Sequence, residues 1–295
     1  MQITVNKNKV AVTNLEKILW PETGYCKHDL IDYYIKVYPM IKNYLKNRPL
    51  ALRMYPDGIH GKNFFLKNCP SSAPDWLSTE KMLASNTGKT INWVLINKLE
   101  DLIWVANRAS IELHGWFSLL NKPDNPDYAV FDLDPGEKIG FQMVVLAAKT
   151  ITEILDNLKL VYGVKTSGKT GIHVYIPLDC SLTFSRVRNF LQNIARLLVD
   201  HRPDIYTTEW RKKKREGKLY IDYRQNARGK TIPAPYSLRP TPKATVSTPL
   251  RDGELTPSLQ PDHFTLENIL SRLKKFGDPW SSIYGQKQKL PASLL

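Results

Sequence analysis

Apolar positions recur every three to four residues in four segments, and each reads as an amphipathic helix. They cover roughly 27–46 (KHDLIDYYIKVYPMIKNYLK), 140–158, 183–200 and 265–276. Ser181 or Thr183 is placed to cap the third, where a side-chain oxygen can accept from an orphan amide of the first turn. Runs rich in β-branched and aromatic residues predict strands at 50–55, 91–96, 102–106, 127–133, 160–166, 172–178 and 218–224. The stretch 108–119 (RASIELHGWFSL) is predicted to be helical or mixed, which puts His114 on an apolar helix face. Seven of the 20 prolines fall between 233 and 261, so a long extended connection is expected there, with Pro235-Tyr236-Ser237-Leu238-Arg239 as its ordered part. No internal repeat or low-complexity linker interrupts the pattern. The economical reading is one compact α/β domain over 1–295, with an N-terminal elaboration to about 100 and a core over about 101–295.

Two of these strands carry acids. In Tyr128-Ala-Val-Phe-Asp132-Leu-Asp134-Pro135, alternate side chains share a face, so Asp132 and Asp134 project together, opposite Ala129, Phe131 and Leu133. Pro135 ends the strand and leaves the acids at a rim. In Lys218-Leu-Tyr-Ile-Asp222-Tyr-Arg, a single acid sits in a basic strand and shares a face with Tyr220 and Arg224. Three carboxylates delivered by two strands suit divalent cations and phosphoryl transfer. Two solvated acids before a turn would give the same first pattern.

Charge narrows the partner. The chain of 295 residues carries 42 Lys and Arg against 28 Asp and Glu, a net charge of +14 with a pI near 9.5. Residues 211–243 alone hold eleven Lys or Arg against Glu216 and Asp222. No acid occurs between Asp222 and Asp252, where Arg224, Arg228, Lys230 and Arg239 alternate with Tyr223 and Tyr236. Such a stretch suits a groove that follows phosphates. A 42% hydrophobic, 24% charged composition is that of a globular protein. No run approaches the ~18 apolar residues that would span a bilayer, and MQITVNKNKV has no signal-peptide core. A soluble, cytoplasmic, nucleoid-associated protein with no membrane partner is expected. Three scattered cysteines, Cys26, Cys69 and Cys180, form neither a disulfide framework nor a zinc pair.

Gly163-Val-Lys-Thr-Ser-Gly168-Lys169-Thr170 satisfies the Walker A pattern letter for letter. A P-loop needs a helix after it, whose first amides hold the phosphates. Here Gly171-Ile-His-Val-Tyr-Ile-Pro177 follows and alternates like a strand, so the P-loop reading is rejected. What remains is a turn able to offer amides, a hydroxyl and an ammonium to a triphosphate. His173 shares a face with Tyr175, opposite Ile172, Val174 and Ile176, and is expected to be exposed.

Taken in order, these segments resemble a known family. Phe-Asp132-Leu-Asp134-Pro, Ser167-Gly168-Lys169-Thr-Gly171-Ile-His173, Ile-Asp222-Tyr-Arg-Gln225-Asn226 and Pro235-Tyr-Ser-Leu-Arg239 are similar to successive motifs of the polymerase domain of bacterial ligase D, in the archaeo-eukaryotic primase superfamily. The likeness reaches upstream to Asn14-Leu-Glu-Lys17, Gly24-Tyr-Cys-Lys27, Arg48-Pro49, Tyr55-Pro-Asp-Gly58 and Phe64-Phe65-Leu-Lys67-Asn68, and so covers nearly the whole chain.

The resemblance implies a primase-polymerase fold of the α/β (α+β) class, its mixed or antiparallel core sheet carrying the acidic triad and flanked by helices. It implies that Asp132, Asp134 and Asp222 bind two Mn²⁺ or Mg²⁺ ions, and that His114, Ser167, Gly168, Lys169, His173, Arg215, Gln225 and Arg239 face the nucleotide. Phe64 and Phe65 match an aromatic pair packing against template bases, with Arg53 and Lys67 also on the DNA. Asn14, Lys17 and Lys27 match a pocket for a 5′-phosphate. Many relatives carry the turn's lysine immediately before the second glycine, where this chain has Thr170. The implied activity is template-directed, ribonucleotide-preferring nucleotidyl transfer at DNA ends and gaps in non-homologous end joining. Ku and a separate ATP-dependent DNA ligase are the implied partners, and the start at Met1 suggests a stand-alone polymerase. Two other classes share parts of the pattern. A haloacid-dehalogenase-type phosphatase also uses DxD, but it wants Thr or Val where Gly136 stands. A non-catalytic nucleic-acid-binding module would explain the charge and leave the acids without a role.

Overall fold

The computed structural model describes residues 1–5, 8–83 and 88–295. Contacts gather the chain into two units. One comprises Met1–Trp116, Thr231–Ser247 and Phe264–Gly277, the other Phe117–Lys230, Thr248–His263 and Asp278–Leu295. Residue 100, about where the N-terminal elaboration of the single expected domain meets its core, lies inside the helix Leu99–Asn107, and the first unit also takes two later segments.

The first unit is built on an antiparallel sheet in the order Thr231–Pro233, Ser110–Trp116, Leu50–Met54, Thr90–Val94, Thr79–Leu83, with Phe64–Leu66 also paired to Leu50–Met54. The long helix Lys27–Leu45 buries Leu30, Ile31, Tyr34, Val37 and Ile41 and packs on the helix Leu99–Asn107. Its first turn is closed by Asp29, whose Oδ2 accepts from the Cys26 amide at 2.7 Å.

Two sequence expectations fail here. The run 102–106 is helical, not a strand. Leu102, Ile103, Val105 and Ala106 are all buried, and a short apolar run carries no period that separates the two states. Asp101 decides it, since its carboxylate accepts from the amides of Asn97, Lys98 and Ser78 at 3.0–3.1 Å and nucleates the helix. Conversely 108–119 is not helical. Ala109 turns the chain with φ 54°, and Ser110–Trp116 then forms a strand whose seven residues are all buried. Ser110, Glu112 and His114 alternate with Ile111 and Leu113, which is the period of a strand, although burial on both faces leaves none of them to solvent.

The second unit holds a five-stranded sheet in the order Gly163–Thr166, Ile172–Pro177, Tyr128–Asp134, Leu219–Asp222, Tyr206–Thr207, antiparallel except for the last pair. Helices Phe141–Asn157 and Phe184–His201 pack against it and each other, burying Val144, Ala148, Ile151, Val187, Leu191 and Ile194. Thr183, not Ser181, precedes the first turn of the latter. The Walker-like segment joins two paired strands, as the alternation after Gly171 predicts. The proline-rich stretch is irregular, but 232–239 and 244–250 are buried, not draped over the surface. It is tied in by single bridges such as Leu238 to Val246.

Candidate active site

In the second unit, strand register sets four ionisable residues in one row. Asp132 lies directly opposite Asp222 on one side and His173 on the other, and His173 lies opposite Lys165. Directly paired residues present their side chains to the same face. His173 Nε2 stands 3.3 Å from Asp132 Oδ1. Asp134, two residues on, lies opposite Tyr220 on that same face. The sequence placed His173 in the open. It is buried, because Lys165 and Tyr175 flank it and the pairing of Lys165 with Pro249 covers the sheet edge beyond.

The carboxylates perturb one another. Burial pushes the Asp222 pKa up, and the charge of Asp132 adds to it, while the amides of Arg224 and Gln225 donate to Asp222 Oδ1 and oppose the rise. Burial and then Asp132 likewise push Asp134 up, against the pull of Arg215. Arg215 Nη1 donates to Asp134 Oδ2 at 3.0 Å, its Nε and Nη2 donate to the carbonyls of Glu209 and Trp210, and its guanidinium lies 3.8 Å from the Tyr220 ring centroid. The donor set is all oxygen and carries surplus negative charge, which suits Mg²⁺ or Mn²⁺. Among the described residues, however, no group of three His, Cys, Asp or Glu is arranged to hold an ion. Arg215 holds one of the three acids.

The neighbouring turn is preorganised by Ser167. Its hydroxyl accepts from the amides of Lys169 and Gly171 at 3.1 and 3.0 Å, and its own amide donates to the Gly171 carbonyl. Gly168 sits at φ +74°, and a Cβ on Gly171 would stand 2.4 Å from the Leu133 carbonyl, so this turn presses on the acid-bearing strand. Gln225 is half-buried, with its backbone bound to Asp222. Asn226, which the sequence reading left without a role, pins the arrangement: Oδ1 accepts from the Val130 amide and Nδ2 donates to the carbonyls of Val130 and Tyr223.

In the first unit, a second cluster forms around a residue the sequence reading passed over. Glu112 is fully buried on the strand Ser110–Trp116. Its Oε1 lies 2.8 Å from Arg239 Nε, its Oε2 lies 3.2 Å from Arg53 Nη1, and Tyr55 Oη donates to Oε2 at 2.8 Å. His114 Nε2 is 3.9 Å from Oε1. Burial holds the His114 pKa below the ordinary histidine value despite Glu112, so the ring is neutral at pH 7. Phe65 meets His114 edge-on at 5.5 Å, and Arg53 lies over Phe65. Phe64 and Phe65 are each about half exposed (48% and 50%), so neither is core. Lys67 is exposed beyond them. A lone acid within Ile-Glu-Leu-His was the available signal for Glu112.

Also in the first unit, Asn14, Lys17 and Lys27 come together. Asn14 takes φ 52°, its carbonyl accepts from the Lys17 amide, and the Lys17 carbonyl accepts from the Lys27 amide at 2.9 Å. Burial, and then the Lys17 charge, lower the Lys27 pKa. Lys17 is salt-bridged to Asp57 at 2.8 Å, and Lys27 Nζ donates to Thr13.

Among the described residues, no helix is long and apolar enough to cross a membrane. Comparison with known proteins then places the chain. It is 35% identical over 288 residues to the bifunctional non-homologous end joining protein LigD of Bacillus subtilis, covering 97% of this chain and 46% of that protein. It is 33% identical over 273 residues to the multifunctional non-homologous end joining protein LigD of Mycolicibacterium smegmatis, covering 92% of this chain and 35% of that one. The chain thus spans less than half the length of these relatives. The polymerase domain from Mycobacterium tuberculosis ligase D, solved in complex with DNA, superposes with a TM-score of 0.86 at 30% identity, covering 95% of this chain and 99% of that one. Residues 26–280 match the family described as LigD, primase-polymerase domain, and the chain belongs to that family.

Proposed function

We propose that this chain is a nucleotidyltransferase that extends the 3′ end of DNA by templated addition at gaps and broken ends, with a preference for ribonucleotides. The observation that carries the reading is the register row in which Asp132 faces Asp222, with Asp134 on the same face, in a chain of this family. Asp132, Asp134 and Asp222 would hold two Mg²⁺ or Mn²⁺ ions. Such ions lower the pKa of an attacking hydroxyl and neutralise charge developing on the triphosphate.

The protein's own groups orient that site. His173 fixes Asp132 through Nε2, the Arg224 and Gln225 amides fix Asp222, and Asn226 locks the acid strand to the turn that follows Asp222. For the acids to close on cations, Arg215 must release Asp134. Its charge is then free for a triphosphate, the role the sequence resemblance gives it. The Ser167 turn, with Gly168 and Lys169, and Gln225 serve the nucleotide in the same way. His114 is a neutral, buried imidazole able to hydrogen-bond a ribose 2′-hydroxyl. A deoxynucleotide would leave it without that partner, which is how a site rejects an analogue lacking a hydroxyl. Arg239 acts from beside Glu112 on the same cluster.

The relatives are named for non-homologous end joining, and the solved ligase D domain was bound to DNA. We carry both to this chain, with Ku and an ATP-dependent ligase as working partners. The deciding experiment is a gap-filling assay with ribo- or deoxyribonucleotides, with and without Mn²⁺, on wild type and Asp132→Ala. Metal-dependent incorporation that favours ribonucleotides and vanishes in the variant is expected. Wild-type turnover by Asp132→Ala at saturating metal would overturn the metal assignment, and equal kcat/KM for GTP and dGTP would overturn the preference.

A further inference from the structure

Trp210 is an unusual surface residue. Tryptophan is mostly buried, yet this one is 55% exposed and opens a run of five exposed residues, Trp210-Arg211-Lys212-Lys213-Lys214. Arg211 lies 5.2 Å from the indole centroid. The segment is not loose. Residues Lys212–Lys214 form a 3₁₀ turn, the Arg211 amide donates to Glu209 Oε1, and the Glu209 amide donates to Thr207 Oγ1. The anchor closest to the chemistry is Arg215. One edge of its guanidinium donates to the Trp210 carbonyl at 3.0 Å and another donates to Asp134 Oδ2 at 3.0 Å. The backbone bearing the exposed indole therefore lies one guanidinium away from an acid of the proposed site.

An exposed flat ring among four cations is complementary to a polyanion that also carries flat apolar faces. Single-stranded nucleic acid has that chemistry: its phosphates meet the lysines and its bases offer a π-face to stack on. An anionic lipid surface would also accept aromatic and basic residues together, but it has no reason to lie beside Asp134. We propose that Trp210 is a stacking platform for an unpaired base of the DNA at the reacting end, with Arg211 and Lys212–Lys214 holding the adjoining phosphates. This rests on the polymerase reading above and adds a residue to it.

The test measures binding of a primer–template with a single-stranded template overhang by wild type, Trp210→Phe and Trp210→Ala. The same duplexes are then prepared with one abasic nucleotide moved stepwise through the overhang and the primer end. Stacking on one base predicts roughly a five- to hundredfold weaker Kd for Trp210→Ala, with much of the affinity kept in Trp210→Phe. One abasic position should weaken wild type by a comparable factor and Trp210→Ala no further. The slope of log Kd against log salt should not change, because no cation has been removed. The proposal falls if Trp210→Ala binds base-bearing DNA like wild type, or if every abasic position costs the variant as much as wild type. It falls equally if the variant loses only binding to phosphatidylserine vesicles. Failure of the polymerase reading would show separately, as a wild type that incorporates no nucleotide on any duplex.

Discussion

Replacing Glu112 by Gln removes one negative charge and almost no volume, so it isolates the electrostatic role of the buried cluster. Three partners set the magnitude. Arg239 is 9% exposed at its side chain and sits 2.8 Å from Oε1, so the substitution takes a buried carboxylate from its guanidinium. That situation costs about 3–5 kcal/mol. Arg53 is 30% exposed and has Asn63 and Phe65 as further partners, so solvent screening reduces its share to a minor one. Tyr55 Oη can still donate to the amide oxygen and loses only the extra strength of a charged acceptor. The sum is dominated by Arg239 and should appear as a loss of roughly 3–5 kcal/mol in urea unfolding at pH 7. The matching fall in Tm is roughly 6–20 °C. Tyr55→Phe, which removes a single bond and strands no cation, should cost about 1.5–3 kcal/mol. Far-UV circular dichroism and tryptophan fluorescence, followed on the same samples, would show whether the loss is cooperative. A Glu112→Gln protein within about 1 kcal/mol of wild type would refute the reasoning, since Arg239 would then need no carboxylate. The substitution should also lower kcat/KM for nucleotide incorporation at temperatures where the variant stays folded, because both Arg239 and His114 take their positions from Glu112.

Two further outcomes follow from the charge pattern. Asp222→Asn should raise Tm at pH 7 without metal. The folded-state pKa of Asp222 lies above its unfolded value, so stability falls as the pH rises from the unfolded pKa to the folded one and the cost is complete above it; the gain should vanish below about pH 4. Adding Mn²⁺ should raise the Tm of wild type and not of the variant, and equal shifts in both would place the ion elsewhere. Gapped DNA with a 5′-phosphate should bind about tenfold or more tightly than its 5′-hydroxyl counterpart at low salt, and Lys17→Ala/Lys27→Ala should erase the difference. A phosphate preference that survives the double change would move the pocket to another basic patch.

The acid pair was legible in the sequence because Asp132 and Asp134 are two apart in a strand that ends at proline, and a period of two needs no partner to be read. Register was not legible. Nothing local to Asp132 says that Asp222 lies opposite it on one side and His173 on the other, because pairing joins strands that are distant in sequence. The same limit explains the error at His173. Its face was read correctly from alternation, but exposure depends on the neighbouring strand, where Lys165 and the chain at Pro249 close over it. At 102–106 and 108–119 the failure has the opposite origin. The apolar run 102–106 lacks the polar contrast from which periodicity is read, and the Asp101 carboxylate nucleates its helix, whereas over 110–114 the alternation of Ser, Glu and His with Ile and Leu carried the strand period, and the left-handed turn at Ala109 starts that strand. Glu112 was missed for a related reason. A carboxylate on the polar side of an alternating strand looks like a solvated residue until two arginines distant in sequence are seen to meet on it. A lone acid on a strand that burial closes on both faces is therefore better read as the centre of a network whose partners lie elsewhere in the chain, since a buried carboxylate without them would not stay ionised.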